Sequence, residues 1–296
     1  VDLVCEDISQ PLDGQRGGIV EVNAGPGLLM HLKPETGQPR PVGRAIVDEL
    51  FPNGDDGRIP VVGVTGSFGK TTVARLIASL LTLSGRHTGL ASSDGLFVHR
   101  RCIAQGDNAN WGGAHRLLMN RAVEAAVFEN GTDSILSEGL AYDRCQVGVI
   151  TNVEAARHFG RYHVETPEQV FTVLRTQVDL VLPTGAAVLN ASQPMLVEIA
   201  PLCDGEVIFF GLDAALPPLA EHLAQGKRAV FVRNERVVLA NGANETEIAS
   251  LKGIPLTNGG RTDYQIENVL AASGAAWALG IGPEIIRTGL QTFTIA

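Results

Sequence analysis

The residues best suited to chemistry lie in one short run, Gly63-Val64-Thr65-Gly66-Ser67-Phe68-Gly69-Lys70-Thr71-Thr72. Glycines let successive backbone N–H groups curl around phosphate oxygens, and a helix that opens at the loop adds the partial positive charge of its N-terminus. A lysine after the last glycine reaches β- and γ-phosphates, and the hydroxyl after it ligates Mg²⁺. Lys70 and Thr71 hold those places, with Gly66, Ser67, Gly69 and Thr72 around the same phosphates. The strict G-x-x-x-x-G-K spacing is not met, because Val64 stands at the first glycine position. A phosphate loop of this kind needs a carboxylate at the end of a neighbouring strand, and Glu129 closes the apolar run AAVFE (125–129). His158 follows the apolar run VGVIT (147–151), past the carboxyl end of a strand, where α/β sheets bind ligands. Lys70, Glu129 and His158 form the candidate catalytic set, and Thr71, Glu129 and His158 the candidate metal ligands.

These groups need a scaffold, and the hydrophobic pattern supplies one. Residues 59–65 (IPVVGVT) read as a buried parallel strand. Residues 71–83 read as a helix with Val73, Leu76, Ile77, Leu80 and Leu81 on one face, stopped near Gly85. Further strands are expected at 125–129, 147–151, 187–190 and 207–210, and a hairpin at 229–239 around Asn234-Glu235. Helices are expected at 166–181, with Pro167 in the first turn, and at 265–279 and 284–292. Alternating strands and helices imply an α/β fold, a mostly parallel sheet with helices on both faces. Upstream, Gly17 to Asn23 reads as a short strand with Glu21 and Asn23 on one face, and 41–50 as a short helix. The turn-rich, acidic stretch 52–57 (PNGDDG) marks a domain boundary.

Composition narrows the function classes. The chain has 296 residues, 45% apolar and 19% charged, enough apolar material for a core. A net charge of −9 counts against a general nucleic-acid surface. No apolar run approaches the ~18 residues of a membrane span, and no basic-then-apolar leader opens the chain. Cys5, Cys102, Cys145 and Cys203 lack CxxC spacing and read as reduced, mostly buried thiols of a cytoplasmic protein. A start at Val1 and an end straight after an amphipathic segment lead us to expect a piece of a longer protein.

Residues 58 to about 293 resemble the central ATP-binding domain of the Mur ligases. The matching segments are GSFGKTT (66–72), the strand-end Glu129, TNV…H (151–158), AVLNA (187–191) and QIENVLAA (265–272). GGIVEVNAGPGLLMH (17–31) resembles the end of an ATP-grasp domain, in which Glu21 and Asn23 would ligate the Mg²⁺ of ATP. The resemblance therefore implies residues 1–52 as an ATP-grasp remnant and 58–296 as a Mur-type central domain, with a C-terminal domain to follow. An ATP-grasp tail joined to a Mur-type domain through LFP (50–52) is similar to one branch of the family. That branch implies ATP and Mg²⁺ as cofactors, acyl-phosphate intermediates, and aspartate and arginine as substrates. A polymer primer and a homo-oligomer belong to the same expectation, with neither nucleic acid nor membrane as partner. Asn268, in QIENVLAA, matches the position that contacts the nucleotide base. Both sites would lack walls in residues 1–296, so this stretch alone is expected not to turn over.

The sequence also departs from the family pattern. Ser67 and Phe68 replace a polar pair, Asn130 opens a changed run after the Glu129 strand, and Ser137 and Arg157 stand where Arg and Asp are usual. The helix at 166–181 has Arg175 but no lysine to carbamylate, and Ser192 and Gln193 replace two carboxylates. The phosphate side is retained and the acceptor side altered. A divergent ligase with another amino-acid or dipeptide substrate, or a non-catalytic nucleotide-binding domain, remains open beside the first expectation.

Overall fold

The computed structural model describes residues 1–160 and 162–294. The chain forms two compact units, Val1–Arg58 and Ile59–Ala296.

The first unit pairs β1 (Asp2–Val4) antiparallel with β2 (Gly18–Glu21), followed by α1 (Leu29–Leu32) and α2 (Val42–Leu50). No residue in it is buried, and Ile19 and Val20 are each more than 60% exposed. The strand expected to reach Asn23 ends at Glu21.

The second unit is built on one 11-stranded sheet. Its strands are β3 (Val61–Thr65), β4 (Thr88–Ser92), β5 (Gly95–Val98), β6 (Arg101–Gln105), β7 (Ala125–Glu129) and β8 (Cys145–Ile150). They continue with β9 (Val181–Asn190), β10 (Glu206–Gly211), β11 (Arg228–Arg233), β12 (Arg236–Asn241) and β13 (Asn244–Ser250). The order across the sheet is β13-β12-β11-β10-β9-β8-β3-β7-β4-β5-β6. The strands from β11 to β4 run parallel, and an antiparallel ribbon closes each edge.

Helices cover both faces, which explains the near-continuous apolar runs of the central strands. On one face α3 (Lys70–Leu83), α9 (Asp263–Ala278) and α10 (Pro283–Thr292) lie over Val62, Val64, Val147 and Val188. On the other, α4 (Trp111–Leu118), α6 (Pro167–Asp179), α7 (Pro194–Ile199) and α8 (Pro217–Ala224) cover Val61, Ala126, Phe128 and Leu189. A short α5 (Thr132–Ser137) follows β7. The five apolar residues expected on one face of α3 are all fully buried. Thr166 and Gln169 form a reciprocal cap around Pro167, which fixes where α6 starts. Asn234 and Glu235 both take left-handed φ, near +50° and +57°, as a two-residue hairpin turn requires.

Chain order creates the site. From β3 the chain crosses to β4, returns to β7 beside β3, and only then places β8 on the other side of β3. The loops leaving β3, β7 and β8 therefore converge at the carboxyl edge of the sheet, at a switch in strand order. The expectation of mostly buried thiols needs correction. All four cysteines are free, but only Cys145 is buried, and Cys102 is exposed on the edge strand β6. Burial pushes the Cys145 thiol up to about 12. Among the described residues, no helix is long and apolar enough to cross a membrane.

Candidate functional site

The loop between β3 and α3 is shaped by close approaches that admit no side chain. Gly66 has φ +135°, and a Cβ there would lie 2.2 Å from Thr151 Oγ1. Gly69, at φ +76°, would meet Asn268 Oδ1 at 2.1 Å. Asn152 Oδ1 accepts from the Phe68 amide at 2.9 Å, and the Asn152 carbonyl from the Ser67 amide at 3.0 Å. Thr151 Oγ1 donates to the Phe68 carbonyl at 2.6 Å. The loop is thus clamped from β8, while the first amides of α3, from Lys70 through Thr71 and Thr72, have no acceptor within the helix.

Lys70 Nζ donates to the Gly66 carbonyl at 3.1 Å, curled back over its own loop. Burial holds its pKa below the usual lysine value; Glu129 opposes that shift and Arg157 adds to it. Thr71 Oγ1 donates to Glu129 Oε1 at 3.0 Å, and the Ser93 amide donates to Glu129 Oε2 at 2.9 Å. Glu129 is 5% exposed and lies among hydroxyl and amide donors. A carboxylate with two adjacent hydroxyls is a hard-oxygen set, and Mg²⁺ is held by one or two carboxylates together with substrate phosphates. These residues fit that ion. Ser93 opens the segment SDG (93–95) after β4 and had no role assigned to it from the sequence; its position after the strand beside β7 is the signal that could have assigned one.

His158 sits between two hydroxyls beside the phosphate loop. Its Nε2 lies 2.8 Å from Ser67 Oγ, and its Nδ1 2.8 Å from Thr132 Oγ1. Both ring nitrogens are engaged by hydroxyls. Burial, then the Lys70 charge, holds its pKa below the usual histidine value. Among the described residues, no three His, Cys, Asp or Glu side chains are grouped to hold a metal ion. Ser67 Oγ also accepts from the Glu154 amide at 2.8 Å, so His158, Ser67 and the loop after β8 form one connected unit.

The departing residues each have a place. Asn130 donates to Tyr142 Oη at 2.7 Å and to Gln177 Oε1 at 2.8 Å, all three buried beneath Gly63. Burial pushes the Tyr142 hydroxyl far above the usual tyrosine value. Arg175 pairs with Asp179 at 3.0 Å on the surface of α6. Ser137 Oγ donates to the Asp133 carbonyl within α5, and Ser192 Oγ to Asn190 Oδ1. Asn268, 4% exposed on α9, presses on Gly69 and donates to Gln265 Oε1 at 3.1 Å. In the first unit, Asn23 Nδ2 lies 3.2 Å from Glu21 Oε1 and 3.3 Å from Asp2 Oδ2, all exposed. Asp2 was not anticipated there.

Residues 64–276 match the family profile described as Mur ligase middle domain. A cyanophycin synthetase of Synechocystis sp. is 38% identical over 294 residues, covering 99% of this chain and 34% of that protein. One from Nostoc sp. is also 38% identical, over 99% of this chain and 32% of that protein. The chain thus spans about a third of the length of these curated relatives. Among solved structures, a UDP-N-acetylmuramoyl-L-alanyl-D-glutamate–2,6-diaminopimelate ligase superposes with a TM-score of 0.60. It is 16% identical and covers 80% of this chain and 47% of that one, a likeness of fold.

Proposed function

The chain belongs to the Mur ligase family, and from that premise we propose that its second unit binds Mg-ATP at residues 66–72 and forms an amide bond. The observation that carries the reading is one constellation. Lys70 overhangs the phosphate loop, and Thr71 faces the buried Glu129 across 3.0 Å.

The chemistry proceeds in two balanced steps. A carboxylate oxygen of the acceptor attacks the γ-phosphorus, ADP leaves, and an acyl phosphate forms. The amine nitrogen then attacks the acyl carbon, inorganic phosphate leaves, and the nitrogen gives up a proton. Lys70 exchanges its bond to the Gly66 carbonyl for phosphate oxygens and offsets the charge of the transferring group. Thr71 and Glu129, with Ser93 behind them, are the residues that would hold Mg²⁺. A bound Mg²⁺ would supply Lewis-acid neutralisation of the β- and γ-oxygens. His158 keeps Ser67 turned toward the loop after β8, so its part is to shape the phosphate end; direct ligation would cost it a hydroxyl partner. Asn268 supports Gly69 from below, within reach of the nucleotide-binding loop.

By likeness to the cyanophycin synthetases, the substrates proposed are aspartate and arginine added to a polymer primer by a homo-oligomer. In the same reading residues 1–52 end an ATP-grasp domain with Glu21 and Asn23 toward its own Mg²⁺. A second reading, a different amine or dipeptide, is favoured by Arg157 in the pocket and by Arg175 being committed to Asp179.

The test is ADP release by the complete gene product with Mg-ATP and a short Asp-Arg primer, adding aspartate, arginine and the dipeptide in turn. Arginine-stimulated release that disappears in Lys70→Ala supports the first reading. Stimulation by the dipeptide alone supports the second. Release that Lys70→Ala leaves unchanged overturns both.

A further inference from the structure

Two of the residues that set this chain apart from the family pattern touch each other. The Arg157 guanidinium lies over the Phe68 ring, 3.9 Å from its centroid, although 88 residues separate them in the chain. Phe68 belongs to the phosphate loop and is 42% exposed. Arg157 also pairs with Glu154 at 3.1 Å through Nε, which leaves its two Nη groups for an anion. Together with Lys70, Ser67 and His158 it lines a cavity of about 270 Å³ beside Gly66. That volume is just below the ~300–1,000 Å³ of sites that enclose a drug-sized ligand. It suits a phosphoryl group and a small acid better than a whole nucleotide.

We propose that Arg157 is a specificity-determining cation that reads the terminal phosphoryl group, held in position by the face of Phe68. The proposal rests on the phosphate-loop reading above and goes beyond it. A planar guanidinium presents paired donors that match phosphate oxygens, which a lysine ammonium does not. Its present anchors are soft. An exposed ion pair and a stacked ring are both weak contacts, and the Arg157 side chain is 58% exposed, so an anion can compete for it. The anchors are also coupled to the loop, because Asn152 binds the Phe68 amide two residues before Glu154. A nucleotide that orders the loop therefore sets the ring, and the ring sets the guanidinium. Lys70 and Arg157 are the basic side chains of the cavity, Asp133 lines it as well, and both ring nitrogens of His158 are engaged by hydroxyls.

The experiment compares equilibrium binding of Mg-ADP and of the Mg-bound β,γ-imido analogue of ATP to the chain. The proteins are the parent, Arg157→Gln, Arg157→Lys, Phe68→Leu and, as a control on the loop, Lys70→Ala. Losing one charge-assisted contact to a phosphoryl group weakens the triphosphate roughly 10- to 100-fold in Arg157→Gln. Mg-ADP stays within about 2-fold, because no γ-phosphate is present to be read. Arg157→Lys recovers part of the loss, and Phe68→Leu shows a smaller loss restricted to the triphosphate. Equal effects of Arg157→Gln on both nucleotides, or none on either, overturn the proposal and leave the phosphate-loop reading standing if Lys70→Ala weakens both. A parent chain that binds neither nucleotide overturns the proposal and that reading together.

Discussion

The two units each carry carboxylate and amide groups suited to a magnesium nucleotide, but they hold them differently. In the second unit Glu129 ends a central strand, is 5% exposed, and is met by Thr71 and the Ser93 amide. In the first, Glu21 ends a four-residue strand of a two-stranded ribbon with no buried residue around it. A pair of strands without a hydrophobic face against other elements is marginal in water. The contrast teaches that similar residue types are held by different means, one by a core and one by surface hydrogen bonds. Glu129 inherits its position from a sheet covered on both faces. Glu21 and Asn23 inherit theirs from three exposed hydrogen-bonding side chains.

The sharpest way to break this contrast is to strain the floor of the second site. A Cβ at Gly63 would meet Tyr142 Oη at 2.1 Å and Gln177 Oε1 at 2.4 Å. Overpacking and the displaced buried hydrogen bonds together cost about 3 kcal/mol in Gly63→Ala. Urea unfolding with a lowered midpoint checks it, and Ile19→Ser, 63% exposed on β2, moves stability by less than about 0.5 kcal/mol. Next in size is Glu129→Gln. It keeps the shape but loses the charge, so Mg²⁺ should improve nucleotide affinity roughly 10-fold less than in the parent, read by titration with and without the ion.

The smallest effect is a dependence on pH. His158 and His222 are both held below the ordinary histidine value of about 6.5, chiefly by burial. As pH falls through that value the unfolded chain takes up these protons first, and the folded chain only lower. The unfolded state thus binds more protons in that window, so stability is complete above pH 6.5 and is lost as pH falls below it. The double variant His158→Gln/His222→Gln flattens the slope by up to about one proton per group.

Legibility in the sequence followed how local the physics was. The buried face of α3 and the turn at Asn234-Glu235 were readable because spacing and turn chemistry act within a few residues. Strands β4, β5 and β6 were missed; β4 is built of small residues, TGLAS, and β6 is an exposed edge without alternation. The last strand, β13, reads NETEIAS and is largely exposed, so nothing apolar announced it. At the site, Lys70, Thr71 and Glu129 were legible from a loop and a strand end. The role of Ser93 was not, because a lone serine after a strand has no spacing signal and only its place beside β7 points to one. The buried Asn130–Tyr142–Gln177 group spans 47 positions, and only the fold brings it together. His158 was placed near the loop by its position after β8, but its two hydroxyl partners come from separate segments.

The most direct test that the phosphate loop of the second unit is a nucleotide site resting on Lys70 is equilibrium binding of Mg-ATP to the parent chain, Lys70→Ala and Glu21→Gln. Binding should be roughly 100-fold weaker in Lys70→Ala and unchanged in Glu21→Gln. Lys70→Ala binding as the parent does, or Glu21→Gln losing the nucleotide, would contradict that reading.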